Sequence, residues 1–295
     1  MDTFSISQLG QYTGVRPHTI RAWEKRYHAL TPVRSKGNTR YYDSIQMRRV
    51  LNIVSLIEAG YKVSDLCAMP DEQLSRLVDN FYRANGNETE EYFISQLIAA
   101  GMTFDESYFD QIFARCISRF KLKHTYTLVL LPMLTRIGVL WKCNKASVAH
   151  EHFISNILRQ KLFSAVDSIP PAPASAPKWL LFLPENEFHD IGLLLAYNLI
   201  RLCGHQVVYL GANIPQTVIR SAIRQIEPDN LFVFLVNRDY PVSLSNYLTD
   251  LIRNFESGEI FIASQNCYRV SRLAEPGRVR LLRTVEEFAT ILAAG

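Results

Sequence analysis

Nothing in the 295 residues is an uninterrupted apolar run of membrane-spanning length. The opening Met-Asp-Thr-Phe-Ser-Ile also lacks the basic-then-apolar pattern of a secretory signal. The five cysteines (Cys67, Cys116, Cys143, Cys203, Cys267) include no Cys-x-x-Cys pair. That argues against a zinc site or a disulfide frame and for reduced, mostly buried thiols. There is no Ser/His/Asp or Cys/His arrangement, phosphate loop or paired-carboxylate site. Glu185 and Glu187, two apart in one predicted loop, are weak ground for acid–base chemistry. These absences point to the cytoplasm and away from an enzyme. Apolar residues at 48% and charged residues at 20% are ordinary for a globular protein, and the length allows two or three cores.

Acidic residues are scarce at one end only. Residues 1–70 carry ten Lys/Arg against five Asp/Glu, a formal +5, whereas residues 71–295 carry 22 against 23. Between Arg16 and Arg40 seven cations (Arg16, Arg21, Lys25, Arg26, Arg34, Lys36, Arg40) face one acid, Glu24. A positive field confined to one segment of a near-neutral chain is the electrostatic footprint of a DNA-binding head. The local pattern agrees. A predicted helix over Ser5–Thr13 stops at Gly14, and Pro17 sits in the first turn of a second helix over Pro17–Tyr27. This is a helix-turn-helix, whose second helix suits a DNA major groove. Leu30–Tyr42, with Pro32, Gly37 and Asn38 among β-formers, predicts a short hairpin. Asp43 then caps a helix running to Glu58, which makes a winged arrangement.

Residues 71–168 read as helix throughout: Asp71–Arg83, Thr89–Ala100, Asp105–Phe120, His124–Lys142 and Ser147–Val166. Apolar spacings of three and four recur, and the last four segments form a four-helix bundle. Ile169–Pro177, rich in proline and alanine, is an extended linker. Beyond it, strands alternate with helices. Trp179–Leu183, Gln206–Leu210, Leu231–Val236, Glu259–Ala263 and Val279–Leu282 are the strands. Helices follow at Gly192–Cys203, Pro215–Ile226 and Ser243–Phe255, and Thr284 with Glu287 opens a last one as a capping box. Five apolar strands in this order predict a doubly wound, flavodoxin-like parallel sheet, with ligands at the carboxyl ends of its strands. His189 lies in the loop after the first strand, where such a ligand sits. The expected organisation is a head over 1–70, a bundle over 71–168, a linker over 169–177 and an α/β domain over 178–295.

The head, from "TIRAWEKRY" through "TRYY" to "MRRVLNIVSLIEAGYKVSDL", resembles the MerR-type winged-helix regulators over about residues 4–68. The Ala-Trp-Glu-Lys-Arg-Tyr version is most similar to their cobalamin-linked branch. The resemblance implies DNA contacts by Arg21, Trp23, Arg26, Arg40, Tyr41 and Tyr42. Arg16, His18 and Thr19 at the start of the second helix, with Arg34 and Lys36 in the hairpin, complete the expected set. Trp23 and Tyr27 have a second reading, as core of a small domain.

Glu187-x-His189-x-x-Gly192 after a first strand, followed by Gly204-His205-Gln206 and later Gly211-Ala212-Asn213-Ile214-Pro215, resembles the cobalamin-binding domain of corrinoid proteins. That family has Asp-x-His-x-x-Gly; its His ligates cobalt from below and its carboxylate orients the imidazole. Carried over, His189 is the lower cobalt ligand and Glu187 its orienting partner. Trp141, nine intervening residues, then Glu151-His152 resembles the signature of the CarH/LitR-type light-sensing repressors. The resemblance implies that Trp141 and Glu151 contact the adenosyl group of adenosylcobalamin. It also implies that His152 becomes a cobalt ligand after photolysis. Two positions depart from the corrinoid pattern. Its Ser-x-Leu after the third strand is replaced within Phe232-Val233-Phe234-Leu235-Val236, and its Gly-Gly after the fourth strand is Ala263-Ser264.

Two functions follow. One is a repressor on a double-stranded DNA operator, acting as a homo-oligomer (dimer or tetramer) and gated by adenosylcobalamin and light. The other is a regulator whose corrinoid domain no longer binds cobalamin and serves oligomerisation or another ligand. A corrinoid-dependent enzyme module would give the basic head no role.

Overall fold

A computed structural model describes residues 3–35, 37–85, 89–142, 148–235, 244–264 and 278–294. Two compact units divide the chain, Met1–Ile157 and Leu158–Gly295.

The first unit opens with strand β1 (Phe4–Ser5) and helix α1 (Ile6–Thr13). Ser5 and Gln8 form a capping box: the Ser5 hydroxyl accepts from the Gln8 amide, and the Gln8 side chain accepts from the Ser5 amide at 2.7 Å. Gly14 ends α1 at φ 72°, a left-handed conformation that glycine adopts without steric cost. Helix α2 (Pro17–Tyr27) starts on Pro17 as its first helical residue. Strands β2 (Val33–Arg34) and β3 (Arg40–Tyr42) make the wing. β1 pairs antiparallel with β3, Phe4 opposite Tyr42, which the hairpin pattern did not predict because a two-residue strand carries no period. Asp43 caps helix α3 (Ser44–Glu58) by accepting from the Gln46 amide at 2.8 Å. A further short helix, α4 (Val63–Ala68), precedes α5 (Asp71–Asn85).

The bundle is α6 (Glu90–Met102), α7 (Glu106–His124), α8 (Leu131–Lys142) and α9 (Val148–Asp167). Every residue of α6 from Tyr92 to Met102 is buried, as in a helix packed on all sides. Its polar members Ser95 and Gln96 are hydrogen-bonded. The Ser95 and Ser55 hydroxyls lie 3.2 Å apart, Gln96 donates to Asn52 at 3.4 Å, and Tyr108 donates to Gln96 at 2.8 Å. This buried polar seam joins α3 of the head to the bundle. The expected single helix over His124–Lys142 is instead a π-helical segment, Thr125–Leu130, followed by α8. Pro132 at the start of α8 has no amide hydrogen for the i−4 carbonyl, and a widened turn absorbs that loss.

In the second unit β4 (Lys178–Pro184), β5 (Gln206–Ile214), β6 (Asn230–Leu235), β7 (Glu259–Ser264) and β8 (Val279–Leu282) form one parallel sheet in the order β5-β4-β6-β7-β8. This is the flavodoxin-like order, whose reversal point lies at β4 and β6. Helices α11 (Gln216–Ile226) and α12 (Leu244–Asn254) cover one face through Ile219, Ile223, Leu248, Leu251 and Ile252. Helices α10 (Ile191–Leu202) and α13 (Val285–Ala294) accompany an aromatic cluster of Trp179, Phe232, Phe261 and Phe288. Residues 169–177 are strapped to this unit. Arg201 donates to the carbonyls of Ile169 and Pro170, and Gln206 to those of Pro173, Ala174 and Ala176.

Of the described cysteines, Cys67 and Cys116 are buried, while Cys203, capping the end of α10, is exposed.

Candidate functional site

Helix α2 is held by Ile20 and Trp23, which are buried, so the opposite face turns outward. On that face His18, Arg21, Lys25 and Arg26 are exposed, Thr19 is half-buried, and Arg16 is exposed at the N-cap. Lys25 and Arg26 occupy the last turn, where the helix dipole favours cations. Trp23 therefore serves the core, and Tyr27, for which a core place was also open, is exposed.

Glu24, the lone acid of the basic stretch, sets the wing. Its carboxylate accepts two bonds from Arg40 Nε, both at 3.0 Å, and one from the Tyr42 hydroxyl at 3.1 Å. Arg34 lies 3.8 Å from the same carboxylate and donates to Asn38 at 2.7 Å. Tyr42 is fully buried; burial first, then the neighbouring Glu24 carboxylate, pushes its phenol far above the ordinary range. A phenol so placed is a structural donor and is not exposed to a phosphate. Tyr41 is half-buried, and Lys36 lies outside the described residues. Sequence reasoning missed Glu24, because its partners are 16 and 18 residues away.

In the second unit the loop after β4 carries Glu187 and His189. Glu187 is fully buried, and its Oε1 accepts from the amides of Phe188 at 3.0 Å and His189 at 3.2 Å. The same oxygen lies 2.5 Å from His189 Nδ1. The imidazole is 63% exposed, and Glu187 holds it on its Nδ1 side. The longer Glu side chain thus reaches the imidazole. The loop is fixed by its neighbours. The Asn213 amide donates to the Glu187 carbonyl at 3.0 Å, the Asn213 side chain accepts from the Asn186 amide at 2.9 Å, and Arg159 grips Asp190 at 2.7 and 2.9 Å.

In the first unit Glu151 stands in the first turn of α9 and His152 follows it. Glu151 accepts from Ser155 at 2.6 Å and lies 3.0 Å from His152 Nδ1, and His152 is 68% exposed. Trp141 belongs to α8, but its side chain lies outside the described residues. His150, which no motif singled out, is buried and stacks on Phe104 at 4.5 Å.

Residues 4–69 match the model of the MerR HTH family regulatory protein, and residues 88–163 match that of the B12 binding domain. The HTH-type transcriptional repressor CarA of Myxococcus xanthus is 31% identical over 261 residues, 85% of this chain and 83% of CarA. The chain belongs to the CarA family of MerR-type repressors. The HTH-type transcriptional repressor CarH of the same organism is 26% identical over 231 residues, 77% of each chain. A monomethylamine corrinoid protein from Methanosarcina barkeri shares the fold at a TM-score of 0.50 and 12% identity. That match covers 70% of this chain and 96% of that one. As a CarA-family member the chain is a DNA-binding transcriptional regulator with a cobalamin-binding domain, and not an enzyme. No helix among the described residues is long and apolar enough to cross a membrane.

The residues of this CarA-family chain fit cobalamin at one point and crowd it at another. Among the described residues no three His, Cys, Asp or Glu side chains converge to chelate a bare ion. A single oriented imidazole instead suits a metal whose equatorial positions a macrocycle already fills. Gly192, in the first turn of α10, offers a side-chain-free surface beside that ligand. Phe234 of β6 occupies it: a Cβ built on Gly192 would meet Phe234 Cζ at 2.5 Å. Phe234 pairs in register with Ala263, and Leu235 with Ser264, at the carboxyl ends of their strands. The two departures from the corrinoid pattern therefore adjoin each other.

Proposed function

We propose that this chain is a cytoplasmic repressor that binds its double-stranded operator as a homo-oligomer, a dimer or tetramer, with adenosylcobalamin and light as its inputs. The observation that carries the reading is the Glu187–His189 pair, a held imidazole in the same chain as a helix whose exposed face is cationic. The proposed DNA contacts are Arg16, His18, Thr19, Arg21 and Arg26 from the helix-turn-helix, and Arg34, Lys36, Arg40 and Tyr41 from the wing. The burial of Trp23 and Tyr42 removes both from that set.

His189 is the proposed lower ligand, with Glu187 and Gly192 beside it. Trp141 and Glu151 are the proposed contacts of the adenosyl group, and His152 is the proposed ligand in the light. The exposure of His152 supports that role. The proposed domains are 1–70, 71–168, a linker over 169–177, and 178–295. For a clean switch the ligand must favour one assembly state by about 10⁴-fold, roughly 5.5 kcal/mol.

The test mixes purified protein with adenosylcobalamin in the dark, removes free ligand, and records spectrum, size and operator affinity before and after green light. A retained chromophore whose illumination changes both size and affinity is the expected result. Unchanged size and affinity with a bound chromophore would remove light and assembly from the reading. A colourless protein would remove the ligand.

A further inference from the structure

In a doubly wound sheet the ligand crevice opens outside the carboxyl ends of the strands, where the strand order reverses. Here that point lies between β4 and β6. The β4 side contributes the His189 loop and Gly192, and the β6 side contributes Phe234. The Phe234 ring lies so close to Gly192 that three of its carbons fall within 3.0 Å of where a Cβ would stand. The space that a residue without a side chain leaves at the crevice is thus filled from the neighbouring strand. Among the described residues at the mouth, His189 is 63% exposed, and Phe188 next to it is 60% exposed. A flat macrocycle on the exposed His189 needs no room beside Gly192, but a substituent directed past Gly192 meets Phe234.

Cobalamin carries such a substituent. Its nucleotide tail ends in a base that occupies the same axial position that His189 Nε2 would take. For His189 to ligate, the tail must leave the cobalt and find room elsewhere. A corrinoid without the tail makes no such demand.

We propose that Phe234 is a specificity-determining residue that bars the nucleotide tail from the crevice, so that the site prefers corrinoids lacking a lower base. This rests on His189 as the lower ligand. Selectivity by exclusion needs one bulky group in the path of the disfavoured ligand, and Phe234 supplies it.

The test measures the affinities of the full-length protein for hydroxocobalamin and for aquocobinamide, which is the corrin without its nucleotide tail. Equilibrium dialysis with visible spectra serves for wild type, Phe234→Ala, Phe234→Leu and His189→Ala. Wild type should bind cobinamide about tenfold or more tighter than cobalamin, the scale on which small steric differences discriminate ligands. Phe234→Ala should close that gap chiefly by strengthening cobalamin, with Phe234→Leu between them. Phe234→Leu keeps the strand apolar, so it reports even if the alanine variant fails to fold. His189→Ala should weaken both ligands and remove the spectral shift.

Equal affinities in wild type, or a ratio unmoved by both Phe234 substitutions while His189→Ala still abolishes the shift, would overturn the role of Phe234 alone. Binding of both corrinoids unaffected by His189→Ala would overturn the ligand reading beneath it, and the proposal with it. So would a failure of every protein to bind either corrinoid.

Discussion

The head and the β4 loop solve a similar problem in opposite ways. Each uses a glutamate to aim a nitrogen: Glu24 holds Arg40 at 3.0 Å, and Glu187 holds His189 at 2.5 Å. In the head Arg40 is one cation among several on α2 and the wing, and the proposed recognition of DNA is spread over all of them. In the loop the proposed recognition rests on one side chain, His189. Burial differs accordingly. The Glu24 side chain is 14% exposed, whereas Glu187 is fully buried and also accepts from two backbone amides. A distributed surface tolerates some slack in each member. The proposed single ligand would tolerate little, and its partner Glu187 is buried and accepts from two backbone amides as well.

Substitutions test that contrast in order of expected size. His189→Ala removes the proposed lower ligand, and the corrinoid spectrum should vanish, a loss beyond about 100-fold. A retained spectrum would show that recognition in this unit is distributed after all. Glu187→Gln keeps an oxygen acceptor but loses the charge that favours the Nδ1–H tautomer, and corrinoid affinity should fall about 10-fold to 100-fold.

In the head, Arg21→Ala or Arg26→Ala should each weaken operator binding by about tenfold and lower the salt slope by roughly one. Outright loss of binding from either single change would contradict the distributed reading. Glu24→Gln should weaken binding only a few-fold, since a charge-assisted bond is about twice as strong as a neutral one. Its salt slope should stay unchanged, because no cation has been removed. A changed slope would mean that Arg40 had left the DNA altogether.

Glu90 gives the small end of the same scale. Its carboxyl is held below the ordinary range by its own backbone amide at the start of α6 and then by His124 at 3.0 Å, but the side chain is 40% exposed. A depressed carboxyl contributes stability that is present above its unfolded pKa and lost as pH falls through the folded one. Glu90→Gln should therefore flatten the acid limb of a thermal-melt series while costing less than about 1 kcal/mol at neutral pH. A larger loss would show that exposure is a poor guide to the strength of these carboxylates.

Local chemistry was legible in the sequence. Pro17, Asp43, Thr89 and Asp105 stand at the helix starts predicted for them, because a cap acts over three or four residues and needs nothing distant. Thr284 likewise accepts from the Glu287 amide at 3.1 Å, although the Glu287 side chain reaches back to the amide of Arg283. The alternation of apolar strands and helices in the second unit predicted its sheet for the same reason. What failed to show depends on distance or on short length. β1 is too brief to carry a period, and the buried seam of Asn52 and Gln96 joins residues 44 apart. Tyr27 and Trp23 had the same two readings in sequence, and only packing put Trp23 inside and Tyr27 outside.

Sequence alone therefore determined the charge asymmetry, the helix-turn-helix, the strand order class and the residue types of the Glu-x-His-x-x-Gly loop. Each follows from neighbours along the chain. Tertiary structure decided which side chains those residues meet: Glu24 against the wing, Glu187 sealed beneath His189, and Phe234 pressed on Gly192 from the adjacent strand. Those contacts link positions 16 to 42 residues apart or depend on burial, and neither spacing nor composition encodes where a folded chain brings them together.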